Sequence, residues 1–275
     1  ILALISVHML LVVFHKHTQY PGPGRTNKNV VGYPLMPVYI AKAGGFFFIV
    51  FGVTTLMSAI ATINPIWMFG PYVPNAVTAG SQPDWYMGFL DGAVRLMPGI
   101  EYTIFGNTLS LNVMIPAMIM PGIMLALTAT YPWLEAWARG DKEEHHLLDR
   151  PRNVPTRTAL GVAFVTFYVI LFIESGNDLI ATTFGWSINA ITWTLRFAIF
   201  IGPVIAFIVT KRIALALQRR DREKLLHGRE TGQILRLPHG EFIEIHAPVS
   251  EKEKAVITSK VDVAPLPMPP LADAN

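Results

Sequence analysis

The chain has 275 residues, of which 52% are hydrophobic and only 15% are charged, and its formal net charge is +3. So apolar a composition is typical of a protein that crosses a membrane several times and excludes an ordinary soluble domain. The sequence contains no cysteine, which excludes disulfides, thiolate-ligated zinc or iron–sulfur centres and covalently attached c-type haem, so any metal ligand must be His, Met or a carboxylate.

Five apolar spans follow one another along the chain. Residues 1–14 have no basic n-region and no cleavage site, so they predict the end of a transmembrane helix in the C-terminal part of a longer protein. Four further spans can carry a membrane crossing, and they comprise residues 43–63, 109–131, 158–173 and 188–210, of which 158–173 is shorter and is expected to extend by a turn at one end. The predicted fold is an all-α transmembrane helical bundle, with a truncated first helix and four membrane-spanning helices.

The connections between the spans carry further predictions. Residues 64–108 are too long and too rich in aromatic residues for an ordinary loop, and they predict short helices lying in the membrane interface. After Lys211 we expect a basic helical extension, followed by a β-hairpin in which residues 234–237 and 242–245 alternate around a Gly-containing turn. The prolines from Pro265 to Pro270 predict an extended terminus. We therefore expect a membrane domain over residues 1–210 and a cytoplasmic extension over residues 211–275.

The basic residues predict the orientation in the membrane. If the first helix leaves the membrane near Lys16, 20 of the 22 Lys and Arg residues lie on one side. They fall in the first loop, in the loop between the third and fourth spans, and in the tail. Because cytoplasmic loops are enriched in Lys and Arg, the C-terminus is predicted to be cytoplasmic and residues 64–108 to face outward.

The tetrapeptide Pro83-Asp84-Trp85-Tyr86 lies in this outward connection, with one acidic side chain among aromatic residues. A carboxylate there is costly unless it handles protons or binds a ligand, although an Asp after a proline could instead cap a short helix. The segment closely resembles the Pro-Glu-Trp-Tyr signature of cytochrome b, at the quinol-oxidation site of cytochrome bc complexes. The resemblance implies that Asp84 accepts a proton and a hydrogen bond from quinol, while Pro83, Trp85 and Tyr86 complete the pocket.

His8 lies in the middle of the first apolar helix, where a lone His could hydrogen-bond a neighbouring carbonyl or bind a metal. In cytochrome b the fourth helix carries two haem-ligating histidines, and the second precedes a cytoplasmic Gly/Pro-rich loop, as His8 precedes residues 21–24. The resemblance implies that His8 is an axial iron ligand of the high-potential haem, one of two b-type haems in the complete protein. The remaining ligands would belong to the missing N-terminal half.

His15 and His17 follow at the exit of this helix, and by spacing alone they are a solvated basic helix end. In the family a His beyond the haem ligand contacts quinone at the reduction site, which makes His15 a candidate, although the usual spacing of five residues falls on Val13. The segment around Lys42 resembles a family segment in which the Lys precedes a proton-delivering Asp. Ala43 replaces that Asp, so proton uptake at this site needs other groups.

The charged residues outside these motifs are interpreted structurally. Asp91 and Arg95 are four residues apart and predict an ion pair on one helix. Arg196 lies inside the last span and needs a polar partner such as Glu174 or Asp178. Three arginines before the fourth span resemble the corresponding region of chloroplast subunit IV and could equally bind anionic lipid headgroups. They are Arg150, Arg152 and Arg157.

Over residues 1–210 the resemblance covers the end of the fourth helix and the next four helices of cytochrome b, and the variant motif and long tail resemble the actinobacterial form. It implies a bacterial plasma-membrane menaquinol–cytochrome c reductase. One electron of menaquinol would pass to a Rieske iron–sulfur subunit and the other through two b haems to quinone on the cytoplasmic side. The implied partners are the N-terminal half, the Rieske and cytochrome c subunits, a terminal oxidase, a homodimer mate and membrane lipids, but no nucleic acid.

Two alternatives remain open from the sequence. The chain could be a transporter subunit in which broken helices and intramembrane charges form a substrate path, although it has no internal repeat and few polar residues in its spans. It could also be a cofactor-free membrane subunit that only completes a quinol pocket. Bound b-type haem that depends on His8 would separate the main interpretation from both.

Overall fold

The computed structural model describes residues 1–32, 34–60, 71, 74 and 83–259. The chain divides into two compact units, which we call the first and the second unit. The first unit comprises Ile1–Val31, Trp133–Val165 and Gly202–Asn275, and the second comprises Gly32–Pro132 and Thr166–Ile201. The predicted interfacial residues 61–70, most of 71–82 and the Pro-rich end from residue 260 lie outside the described residues.

The described chain is mostly helical, as predicted. Four helical stretches are long and apolar enough to cross a membrane, and a shorter apolar helix precedes them. The short helix is α1 (Leu2–His15), and the long stretches contain α2 (Ile40–Ile60), α5 (Met120–Arg139), α6 (Pro155–Ser175) and α8 (Ile188–His227). Short π-helical turns, Leu35–Tyr39 and Ile115–Ile119, precede α2 and α5. Each turn contains a proline, which lacks the N–H that an α-helix needs at that position.

Shorter elements lie between and after these helices. They are α3 (Gly88–Leu96), α4 (Leu111–Met114), α7 (Asn177–Phe184), α9 (Glu251–Thr258), and strands β1 (Glu101–Ile104), β2 (Asn107–Ser110), β3 (Arg229–Arg236) and β4 (Phe242–Ala247). The β3–β4 hairpin confirms the prediction for the tail, and its register pairs Arg236 with Phe242. The β1–β2 hairpin is a second small antiparallel sheet that the sequence analysis did not predict.

Helix α8 is the longest element, with 40 residues. It contains both the last apolar span and the basic extension, so the predicted boundary between residues 210 and 211 falls inside a continuous helix. The division into a membrane domain and a cytoplasmic extension therefore stays a prediction. Exposed apolar side chains dominate α1 and α2, in which no described residue is buried. Such surfaces are typical of helices that face lipid or other helices.

Gln19 ties the loop after α1 to the segment that precedes α6. Its main-chain N–H donates to the carbonyl of His146 at 2.8 Å, and its carbonyl accepts from the N–H of Leu148 at 2.9 Å. Its buried side chain donates to the carbonyl of Asn29 at 2.6 Å and accepts from the N–H of Val31 at 2.9 Å. The backbone of Gln19 therefore joins two loops of the first unit, and its side chain holds the first of these loops together.

Candidate functional site

The Pro83–Tyr86 segment forms a turn that leads into α3. Asp84 precedes a single 3₁₀ turn, Trp85–Met87, and the carbonyl of Asp84 accepts from the N–H of Met87 at 2.8 Å. The hydroxyl of Tyr86 donates to Oδ2 of Asp84 at 2.8 Å. Asp84 makes no side-chain capping hydrogen bond, which favours a role other than helix capping. Two of the sequence-predicted site residues are thus directly hydrogen-bonded.

All four side chains of this segment are exposed in the isolated chain. Trp85 and Tyr86 keep 66% and 54% of their surface accessible, and their rings meet edge to face with centroids 5.9 Å apart. The carboxylate of Asp84 is exposed as well, rather than enclosed by aromatic rings as the sequence pattern had suggested. A polar pair beside two exposed aromatic rings can therefore meet a ligand that carries both a hydroxyl and an aromatic face.

The contact between Asp84 and Tyr86 changes the pKa of Tyr86. The hydrogen bond to Asp84, reinforced by the negative charge of that carboxylate, raises the pKa of the Tyr86 phenol above its ordinary value. A raised pKa means that the folded chain stabilises the neutral phenol. This stabilisation of the folded chain is present below about pH 10, the ordinary pKa of tyrosine, and it is lost as the pH rises through the raised pKa of Tyr86. At physiological pH the phenol therefore keeps its proton and donates to Asp84.

Two glycines of α3 set the position of this turn. A Cβ atom added to Gly92 would lie 1.8 Å from the carbonyl oxygen of Leu171 in α6, and one added to Gly88 would lie 2.8 Å from the ring of Phe172. Both glycines are buried, four residues apart on one face of α3. Only a helix without side chains there can approach the α6 backbone so closely. The sequence analysis missed this contact, although the Gly-x-x-x-Gly spacing was visible.

Replacing Gly92 with alanine is expected to lower the stability of this unit by about 1–3 kcal/mol, because the new methyl group meets a backbone carbonyl that cannot rotate away. The measurement is thermal unfolding of the purified protein in detergent. The matched control is Gly161→Ala within α6, where a Cβ would meet nothing within 4 Å. Equal stability of the two variants would contradict the close approach.

A polar network continues from α3 into the helices behind it. Arg95 forms the predicted i,i+4 ion pair with Asp91 at 2.9 Å, and it also reaches Asp178 at 3.2 Å and the side-chain oxygen of Asn177 at 2.7 Å. Asn177 in turn donates to Oε1 of Glu174 at 2.9 Å. These contacts hold α3 against α7 and the end of α6.

The expected partners of Arg196 were wrong. Asp178 pairs with Arg95, and the fully buried Glu174 accepts hydrogen bonds from Asn177 and from Thr192 at 2.7 Å. The Nε–H of Arg196 donates instead to the main-chain carbonyl of Leu96, at the end of α3, at 2.7 Å. The rotation of α8 about its axis decides which groups Arg196 can reach, and the sequence pattern does not specify that rotation.

The two histidines of α1 lie on one face of that helix. His8 and His15 are seven residues apart, so they project in nearly the same direction, with Cα atoms roughly 10 Å apart along the axis. Both side chains are exposed, and within the described part of the chain no hydrogen bond or ion pair engages His8. An exposed imidazole with free ring nitrogens on an apolar helix fits the requirements of an axial haem ligand.

Lys42 is exposed in the first turn of α2 and belongs to the second unit, whereas His8 and His15 belong to the first. Among the described residues no group of three or more His, Cys, Asp or Glu side chains could hold a metal ion.

The three arginines before α6 form ion pairs with carboxylates of this chain. Arg150 and Arg152 both pair with the buried Asp221 of α8, at 2.9 and 3.0 Å. Arg157 pairs with Glu135 of α5 at 2.8 Å and with Asp149 at 2.6 Å. These contacts support a structural role, in which the arginines fix the loop before α6, rather than the lipid-binding alternative. No local pattern in the sequence indicates these pairs, of which the one between Arg152 and Asp221 spans 69 residues.

Comparison with known proteins identifies the family. These helices and this site define a multi-pass α-helical membrane protein. A family model described as cytochrome b(N-terminal)/b6/petB matches residues 1–71. The cytochrome bc1 complex cytochrome b subunit of Streptomyces coelicolor is 60% identical over 274 residues, and that of Streptomyces lividans is 55% identical over 286 residues. Each alignment covers 100% of this chain and 50% of the relative. The subunit of Corynebacterium efficiens is 48% identical over 253 residues, covering 90% of this chain and 46% of the relative.

The chain therefore belongs to the family of cytochrome b subunits of bc1 complexes. It spans about half the length of the curated relatives that it matches. Membership confirms the family-level interpretation of the sequence, and it implies that the family's haem chemistry is relevant to this chain.

Proposed function

We propose that this chain forms the part of a cytochrome b subunit that carries the outer menaquinol-oxidation site and one haem ligand, in a respiratory quinol–cytochrome c oxidoreductase. The observation that carries the proposal is the hydrogen bond from Tyr86 to Asp84, on an exposed turn fixed against α6 by Gly88 and Gly92. It places a proton acceptor beside aromatic rings, as oxidation of a quinol requires.

At the outer site, menaquinol would lose two electrons and two protons on becoming menaquinone. One electron would pass to the Rieske iron–sulfur subunit and the other to the b haems, and the proton that Asp84 does not accept would pass to the outside water. Asp84 accepts one of these protons from a quinol hydroxyl through the carboxylate oxygens that Tyr86 leaves available. Tyr86 holds the carboxylate in place by donating to Oδ2, and Trp85 offers an aromatic face to the ring of the quinol. Pro83 restricts the backbone at the start of the turn.

At the inner site, His15 and Lys42 contact the quinone that is reduced there. Both are exposed donors at ends of apolar helices, and each can donate a hydrogen bond to a quinone carbonyl. His8 would hold the iron of the high-potential b-type haem, and that haem would supply a one-electron carrier. Ala43 has no proton to deliver, so proton uptake falls to His15, Lys42 and groups outside this chain.

The family model supports an assignment of the segments. The family model that matches residues 1–71 describes the N-terminal region of cytochrome b. We therefore assign those residues to the end of that region and the remainder to the C-terminal half of cytochrome b. Residues 1–210 then form the membrane domain and residues 211–275 a cytoplasmic extension in a bacterial plasma membrane, with the Pro83–Tyr86 turn outside. The N-terminal half, Rieske and cytochrome c subunits, a terminal oxidase, a homodimer mate and lipids complete the assembly.

Menaquinol-dependent reduction of cytochrome c by the assembled complex, with the full-length subunit, tests this function. Tyr86→Phe is expected to slow the reaction by about threefold to tenfold while haem content stays unchanged, because Asp84 loses the donor that orients it. Tyr102→Phe is the control, since Tyr102 is an exposed tyrosine on β1. A native complex without b haem or quinol oxidation would favour the transporter or the cofactor-free subunit, and equal rates for the two variants would remove Tyr86 from the site.

A further inference from the structure

An apolar cavity of about 520 Å³ lies in the second unit. Its walls come from the end of α3, the π-helical turn before α5, and the facing sides of α6 and α8. Leu96, Pro116, Phe167 and Trp193 are among the residues that line it, and Arg196 is the only charged residue among the described ones in its lining. Ligand sites in proteins commonly enclose roughly 300–1,000 Å³ with a few polar groups in an apolar wall.

Arg196 has no balancing negative charge among the described residues. Its Nε–H donates to the carbonyl of Leu96 at 2.7 Å, and its guanidinium lies 4.9 Å from the centroid of the Trp193 ring. No described carboxylate lies within ion-pair distance, in contrast to Arg95, whose guanidinium meets two. Within the described residues, the two terminal amino groups of this lining side chain make no hydrogen bond or ion pair. A half-buried cation in a membrane span is costly unless an anion compensates it.

The cavity opens along the apolar outer face of α8. Three of its lining residues keep most of their surface exposed, namely Trp193, Phe197 and Phe200 at 57%, 60% and 77%. Arg196 lies about 12 Å along the axis from the start of α8, and its contact with α3 places it at the level of that short helix. A long cationic side chain at such a level can meet the headgroup region while its stem stays in hydrocarbon.

We propose that this cavity binds one anionic phospholipid, with an acyl chain against the apolar wall and the phosphate on the guanidinium of Arg196. The unbalanced positive charge favours an anionic headgroup, because guanidinium and phosphate form charge-assisted, often bidentate hydrogen bonds. The apolar wall favours an acyl chain and would be filled from the bilayer side. The proposal depends on the membrane location of α8 and not on the quinol chemistry of Asp84.

The test exchanges the assembled complex into detergent with neutral lipid and then measures by mass spectrometry how much anionic phospholipid the complex retains. The native complex is expected to keep about one more anionic phospholipid per subunit than the Arg196→Gln complex. Arg236→Gln is the matched control, because Arg236 also lies over an aromatic ring, at 5.9 Å from Phe242, but outside the spans. Equal retention by the native and Arg196→Gln complexes would overturn the proposal, as would a neutral lipid or a quinone as the retained molecule.

A second measurement keeps the proposal testable if Arg196→Gln does not assemble. Phosphatidylglycerol with brominated acyl chains should quench the fluorescence that Trp193 contributes, taken as the difference between the native complex and Trp193→Phe. Phosphatidylcholine with the same chains should quench it at least about threefold less, since it lacks the net negative charge. Equal quenching by the two lipids would mean ordinary contact with the bilayer and would overturn the proposal.

Discussion

Replacing His8 with alanine is expected to remove about half of the b-type haem signal from the assembled complex, because the protein no longer retains a haem whose iron has lost one of its two axial imidazoles. In the proposed arrangement the low-potential haem would take its ligands from outside this chain, and it should be retained. Reduced-minus-oxidised absorption spectra of the purified complex, normalised to protein, measure both quantities. The redox titration should lose its high-potential component.

Two neighbouring histidines provide the controls. His17 is exposed beyond the end of α1, and His17→Ala should leave the spectrum and the potential unchanged. His15→Ala should also keep the haem but slow the reduction of quinone at the inner site, since His15 shares the face of His8 two helical turns away. An unchanged spectrum for His8→Ala would make His8 a packed polar residue and would leave the haem ligand to be found elsewhere.

Replacing Asp84 with asparagine is expected to slow menaquinol oxidation by about 10²–10⁴-fold, the usual contribution of a general base. Asparagine matches the shape of aspartate and can still accept the hydrogen bond from Tyr86, but it cannot take up a proton. The loss should therefore appear in the maximal rate of haem reduction by quinol and not in haem content. Asp84→Glu should restore most of the rate, because the proton acceptor returns with one additional methylene.

Glu101→Gln is the matched control for the charge that Asp84→Asn removes. Glu101 is an exposed acid in the same outward connection, on β1, where it accepts a hydrogen bond from Ser110 at 2.9 Å. A comparable slowing in both variants would mean that overall negative charge, rather than a proton acceptor at position 84, supports the reaction. Full activity of Asp84→Asn would remove the central residue of the proposed outer site.

The helical part of the fold could be predicted from the sequence because long apolar runs leave few alternatives in a membrane. The β3–β4 hairpin was equally predictable, since its apolar alternation flanks a turn that contains Gly240. The β1–β2 hairpin was not predicted, because its four-residue strands are shorter than the pattern that distinguishes a strand from an interfacial helix. Local pattern is informative for long elements and weak for short ones.

The site was predictable in its residue types but not in its contacts. The motif indicated that Asp84 and Tyr86 act together, and the structure joins them by a hydrogen bond. The support from Gly92 and the binding of Arg196 to Leu96 depend on how helices are rotated and how closely they approach. Those quantities follow from packing over the whole bundle and are not encoded in any short segment.

The hydrogen bonds of Gln19 have a consequence for how the protein is made. Gln19 bridges to Leu147, 128 positions later in the chain. The loop after α1 therefore lacks its partner until α2 and α5 have been synthesised and inserted. Contacts so distant in sequence form slowly, since the intervening chain must be ordered first. These two loops should consequently gain protection from hydrogen exchange and proteases only late in biogenesis, and a ribosome-bound intermediate ending before residue 140 should still be cleaved near Gln19.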